Sequence, residues 1–88
     1  MELLRDIANL ESELNLLKRE LEIVNQEYNR RKTQLLELTN IATTGERRTE
    51  LIRQMVDLSS HWRQETWKIN DKINLRTYAL NTKKNKLK

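Results

Sequence analysis

The chain contains no cysteine, no proline and no phenylalanine, and of its 88 residues one is glycine and one is histidine. Without cysteine there are no disulfides, no zinc–thiolate sites and no thiol catalysis. One glycine cannot build the Gly-rich loop that cradles a phosphate, which removes the P-loop and dinucleotide-binding fingerprints. The lack of proline and the near-lack of glycine argue against a sandwich or an α/β enzyme, both of which need many turns. Aromatic residues amount to 5% of the chain. No apolar run approaches the roughly 20 residues that cross a bilayer, so no membrane insertion is expected. Glu2, Arg5 and Asp6 interrupt the apolar residues at the start, which speaks against a signal peptide and leads us to expect a soluble, cytoplasmic protein.

What the chain does have is charge and a sustained apolar period. Asp, Glu, Lys and Arg make up 34% of it, the composition of long helices and coiled coils. From Leu3 the residues Ile7, Leu10, Leu14, Leu17, Leu21, Val24, Tyr28, Arg31, Leu35 and Leu38 follow in alternating steps of four and three. That is the spacing of a coiled-coil seam, and every member except Arg31 is apolar. Disordered chains are also rich in charge, but they lack such a period.

Continued through Gly45 in the same phase, the repeat would run along a mostly polar track that includes Thr49, Arg63, Asn70, Thr77 and Lys84. Read in reverse from the glycine, it recovers Ile52, Met55, Ser59, Trp62, Thr66, Ile69, Ile73, Arg76, Leu80, Lys83 and Leu87. Each of these mirrors a residue of the first half, with paired numbers summing to 90. The pattern predicts an all-α fold, a long two-helix antiparallel coiled-coil hairpin in a single domain. Helix one is expected over about 2–41, a turn over about 42–46, helix two over about 47–83 and a basic tail over 84–88. Helices of about 40 residues would each be roughly 60 Å long. Gly45 suits the left-handed position beyond a helix end, and Thr43 with Glu46 has the spacing of a capping box. Residues 1–44 hold six basic and eight acidic side chains and residues 45–88 hold eleven and five, an imbalance that favours pairing of the two halves.

In this register Tyr28 faces Trp62, Arg31 faces Ser59 and Leu14 faces Arg76. Helix two is the weaker partner, since Ser59, Thr66, Arg76 and Lys83 all fall on its seam. Arg31 either pins the register or, the simpler reading, lays its methylenes along the seam and sends its head to water. Several apolar residues fall off the seam. Leu16 and Ile23 lie on the outer face of helix one, Trp67, Leu75 and Tyr78 on that of helix two, and Leu51, Leu58 and Ala79 flank the second seam. Burying an aliphatic side chain is worth about 1.5–3 kcal/mol, so several such residues together suggest a four-helix bundle or docking on a larger partner. Leu16, Ile23, Leu51, Leu58, Trp67, Leu75 and Tyr78 are therefore the candidate protein interface, with Trp67 as its anchor.

Chemistry is sparse. His61 has Asp57 and Glu65 four residues to either side, a spacing that in a charged helix usually makes solvated ion pairs and not a metal site. No Ser, His and acid set has the spacing of a nucleophile, and a helical rod has no pocket in which to perturb its carboxylates. No enzyme activity, metal or cofactor is expected. Arg47 and Arg48 at the turn and Lys83, Lys84, Lys86 and Lys88 near the end are candidate nucleic-acid contacts, but they would sit at opposite ends of a hairpin. The sequence thus points to a non-enzymatic coiled-coil interaction module, a structural component, adaptor or assembly chaperone whose partner is itself or a larger protein. The alternatives are a small basic nucleic-acid-binding protein and an inhibitor that occupies a host protein through one helix face.

Overall fold

The computed structural model describes residues 2–87, and these form two helices, α1 (Glu2–Ile41) and α2 (Gly45–Asn85), paired as an antiparallel hairpin. No strand occurs among the described residues. The contacts divide the hairpin into two units. A terminal unit comprises Met1–Glu22 with Trp67–Lys88, and a turn unit comprises Ile23–Thr66.

The turn is shorter than its composition suggested. Helix α1 closes with Ala42 N donating to Thr39 O (3.3 Å), and α2 is already helical at Gly45. The capping residue is Thr44, not Thr43. Its Oγ1 accepts from Arg47 N at 3.2 Å, satisfying one of the amides that a helix start leaves without a partner. Arg47, not Glu46, therefore occupies the third helical position, and the expected capping box is not formed. Glu46 still places a carboxylate in the first turn, where it complements the helix dipole. Gly45 has no positive φ and is not a left-handed terminator of α1. It is the first residue of α2, in a conformation that any residue can adopt.

In the terminal unit the expected seam is the core. Ile7, Leu14 and Leu80 are buried together, with Leu3, Leu10 and Ile73 packed against them, and Ile69 is buried as well. The two polar residues on the α2 seam here are answered from α1. Arg76 Nε lies 3.2 Å from Glu13 Oε2 and Lys83 Nζ lies 3.2 Å from Asp6 Oδ2, each within one residue of the mirror register. Lys84 Nζ reaches Glu11 Oε1 at 3.3 Å. All six side chains keep contact with water, so each pair contributes only ~0.2–1 kcal/mol, and their main effect is to set the alignment. Leu87 lies beyond the end of α2 and is exposed, so the seam does not extend to it.

The turn unit departs further from expectation. Leu51 is 1% exposed and is its most buried apolar residue, whereas Ile52, which the repeat placed on the seam, is half exposed. The side chains that α2 turns inward here are Leu51, Met55, Leu58, Trp62 and Thr66, with Ser59 and Glu65 half-buried beside them. The stretch from Met55 to Thr66 takes steps of three, four and four, or eleven residues in three turns. At 3.67 residues per turn it relieves the drift that a strict seven-residue repeat accumulates on a straight helix. Leu51 therefore belongs to the interior of the pair and offers no surface to a partner, and Leu58 is half-buried. On α1, Leu38 is exposed although it falls on the repeat, and Arg31 is exposed with its head in water.

Candidate functional site

Two features of the turn unit stand out, a polar aromatic layer and a trough beside it. Tyr28 of α1 and Trp62 of α2, partners in the mirror register, stack with ring centroids 4.7 Å apart and planes inclined by 19°. Trp62 Nε1 donates to Asn25 Oδ1 at 2.8 Å, so the indole hydrogen bond stays within the protein. Lys32 Nζ sits 5.8 Å from the Tyr28 ring centroid, in cation–π range. One helical turn along, Thr66 is buried in the seam and donates its hydroxyl to Trp62 O at 2.8 Å, which removes the cost of its burial. No buried side-chain polar atom lacks a partner among the described residues.

The next layer toward the turn holds Arg31 and Ser59. Ser59 is small and half-buried there, and Arg31 is exposed. Beside this layer runs a depression of about 420 Å3, walled by Arg31, Gln34, Leu35 and Leu38 of α1 and by Gln54, Asp57, Leu58 and His61 of α2. It shares Arg31, Leu58 and His61 with a smaller hollow of about 100 Å3 against the aromatic layer. It shares Gln34 and Leu38 with a shallow one of about 490 Å3 that extends to Glu37 and Ile41. The three make one trough along a single flank of the turn unit. Leucines form its floor, and both of its walls carry charge.

His61 Nε2 lies 2.8 Å from Glu65 Oε1, an exposed pair. Asp57 does not join them, and no group of three His, Asp or Glu residues converges among the described residues. The trio therefore behaves as one i to i+4 pair and one separate carboxylate.

The remaining interface candidates are exposed. In the terminal unit Leu16, Trp67, Leu75 and Tyr78 lie open, Trp67 at 68% and Tyr78 at 75%, and in the turn unit Ile23 does. Sequence reasoning missed Leu4, Leu36, Leu38, Ile41, Ile52 and Val56, all exposed as well. Leu38 and Ile52 were hidden by their fit to the heptad, and Val56 by its single-residue distance from Met55.

Among the nucleic-acid candidates, Lys83 and Lys84 are engaged with Asp6 and Glu11. Arg48 Nε donates to Ala42 O at 3.3 Å across the turn, and Arg47 and Lys86 are exposed. Lys88 lies outside the described residues. The basic groups are thus divided between the turn and the far end of α2, with two of the lysines already paired. No family model, no curated protein and no solved structure matches this chain.

Proposed function

We propose that this chain is a non-enzymatic protein–protein interaction module of the coiled-coil type, a structural or adaptor piece whose work is done by its outer helix faces. The observation that carries this reading is the imbalance in the turn unit, which buries one large apolar side chain, Leu51, and leaves Ile23, Leu36, Leu38, Ile41, Ile52 and Val56 exposed. Single exposed leucines are ordinary, but a helix pair that fully buries one large apolar side chain and leaves six in the open gains by being covered. Two of these, Leu38 and Ile41, line the trough, where Leu35 and Leu58 add apolar surface and charge stands at the rim, the arrangement that accepts an amphipathic helix. A nucleic-acid reading draws less support, because Lys83 and Lys84 are used within the hairpin.

Thermal unfolding followed by circular dichroism across a hundredfold range of protein concentration, alone and with proteins that co-purify from the source extract, tests the reading. Association raises the Tm with concentration or with added partner, by mass action. A Tm that stays constant in both series, for a chain that is fully helical at the lowest concentration, would falsify the interaction role.

A further inference from the structure

We propose that the trough of the turn unit is the seat of a second copy of this chain, joined by a two-fold axis running along the helices so that both turns lie at the same end. The proposal rests on the interaction reading above and names its partner.

Within the turn unit the helices are close to neutral: α1 from 23 to 41 carries two acids and three bases, a net of +1, and α2 from 45 to 66 carries four acids and four bases, a net of zero. Individual charges therefore decide the arrangement. A two-fold axis along the helices sets α1 of one copy antiparallel on α2 of the other. The competing arrangement, with turns at opposite ends, lays α1, net positive here, on a second α1, which opposes assembly.

Arg31 stands on the α1 wall of the trough and Asp57 on its α2 wall, both exposed, and neither makes an ion pair with any described residue. In the mirror register Arg31 is level with Ser59, two residues from Asp57, or about 3 Å along the axis. The proposed two-fold therefore brings Arg31 of each copy onto Asp57 of the other, making two identical contacts, as an isologous interface requires. Between them Leu35 of one α1 comes within about 5 Å, along the axis, of Leu58 of the opposite α2. The patch is complementary to itself.

Sedimentation equilibrium of the intact chain between ~1 and ~100 μM, with Arg31→Asp, Asp57→Arg and the double reversal, tests the proposal. The native chain should sediment at twice 10.6 kDa. Each single reversal should weaken dimerisation at least tenfold, and the double reversal should restore it, because the two contacts re-form with signs exchanged. Circular dichroism of each variant below its dimerisation range confirms that these exposed positions leave the hairpin helical. As the chain has no cysteine, Thr43→Cys marks the turn uniquely, and mild oxidation should link the two copies through it. A dimer that resists this link, or singles as tight as the native chain, overturns the arrangement. A chain that stays monomeric throughout, but whose Leu38→Lys variant loses a co-purifying protein, overturns the second copy and leaves the interaction reading in place. A monomer that binds no protein overturns both.

Discussion

Replacing Gly45, the one glycine and the point about which the sequence is symmetric, should make the hairpin more stable. A glycine at a turn is usually held there by a backbone conformation closed to other residues, and alanine then costs more than it gains. Gly45 has no positive φ, it opens α2, and a Cβ built on it meets nothing within 4 Å. Under those conditions Gly→Ala chiefly reduces the freedom of the unfolded chain, which is worth ~0.4–1 kcal/mol. For a chain of this size that is a rise of roughly 2–8 °C in Tm. The assay is thermal unfolding by circular dichroism at one fixed protein concentration, so that any association is held constant. Thr44→Ala serves as the control. The Thr44 hydroxyl caps α2 by accepting from Arg47 N, so its removal should cost ~1 kcal/mol and lower the Tm. A Gly45→Ala variant that melts below the native chain would refute the account of the turn, and a harmless Thr44→Ala would refute the cap.

Other substitutions probe the seam and the basic groups. Leu51→Ala should cost roughly 2–5 kcal/mol as a deletion inside the pair, whereas Ile52→Ala should cost about 1 kcal/mol or less because its side chain is half in water already. Equal losses in urea unfolding would return Ile52 to the seam. Trp62→Ala removes the stack with Tyr28 and the bond to Asn25 and should cost about 2–4 kcal/mol, somewhat below the range for a fully buried tryptophan. Asn25→Ala alone should cost ~1 kcal/mol, and a double-mutant cycle between the two positions should show coupling. Titration with DNA and RNA at ~50 mM salt should give at most weak binding that Lys83→Ala and Lys84→Ala scarcely change, since both lysines already face carboxylates. Tight binding lost in those variants would favour the nucleic-acid role.

The hairpin could be read from the sequence because its evidence is repeated many times. Apart from Arg31, an apolar residue recurs at seam spacing from Leu3 to Leu35, and the phase change at the turn leaves no continuous helix that keeps this stripe. The same symmetry predicted that Tyr28 meets Trp62. Details carried by a single residue were harder to read. Thr43 and Thr44 are chemically identical caps, and only the backbone decides that Thr44 serves. Leu51 and Ile52 are adjacent and equally apolar, and the period placed Ile52 on the seam where the structure buries Leu51. Arg76 and Lys83 looked like weaknesses in the second seam because a heptad assigns each residue to one helix. Their carboxylate partners, Glu13 and Asp6, lie off the first seam, on a flank that the repeat does not score. The trough was hidden for a related reason. Arg31 was read, in the simpler of two ways, as sending its head to water, and it is exposed, but the depression that lies beside this exposed arginine and the small Ser59 has no signature in the repeat.

The two units divide the demands on the chain between them. The terminal unit contains the apolar cluster of Ile7, Leu14 and Leu80 and the three ion pairs that cross between helices, so alignment and closure are secured where α1 begins and α2 ends. The turn unit contains the stack, one fully buried leucine and the trough. A hairpin selected only to fold alone would place leucines at 31 and 59, closing that layer at a gain of about 1.5–3 kcal/mol for each side chain buried. This chain instead has an arginine and a serine there, with an aspartate on the opposite wall, which weakens the isolated pair and opens a concave surface carrying both charges. Such a trade is reasonable if the surface is covered in the working state, because the partner's leucines then restore the missing packing and the unpaired charges decide which partner fits.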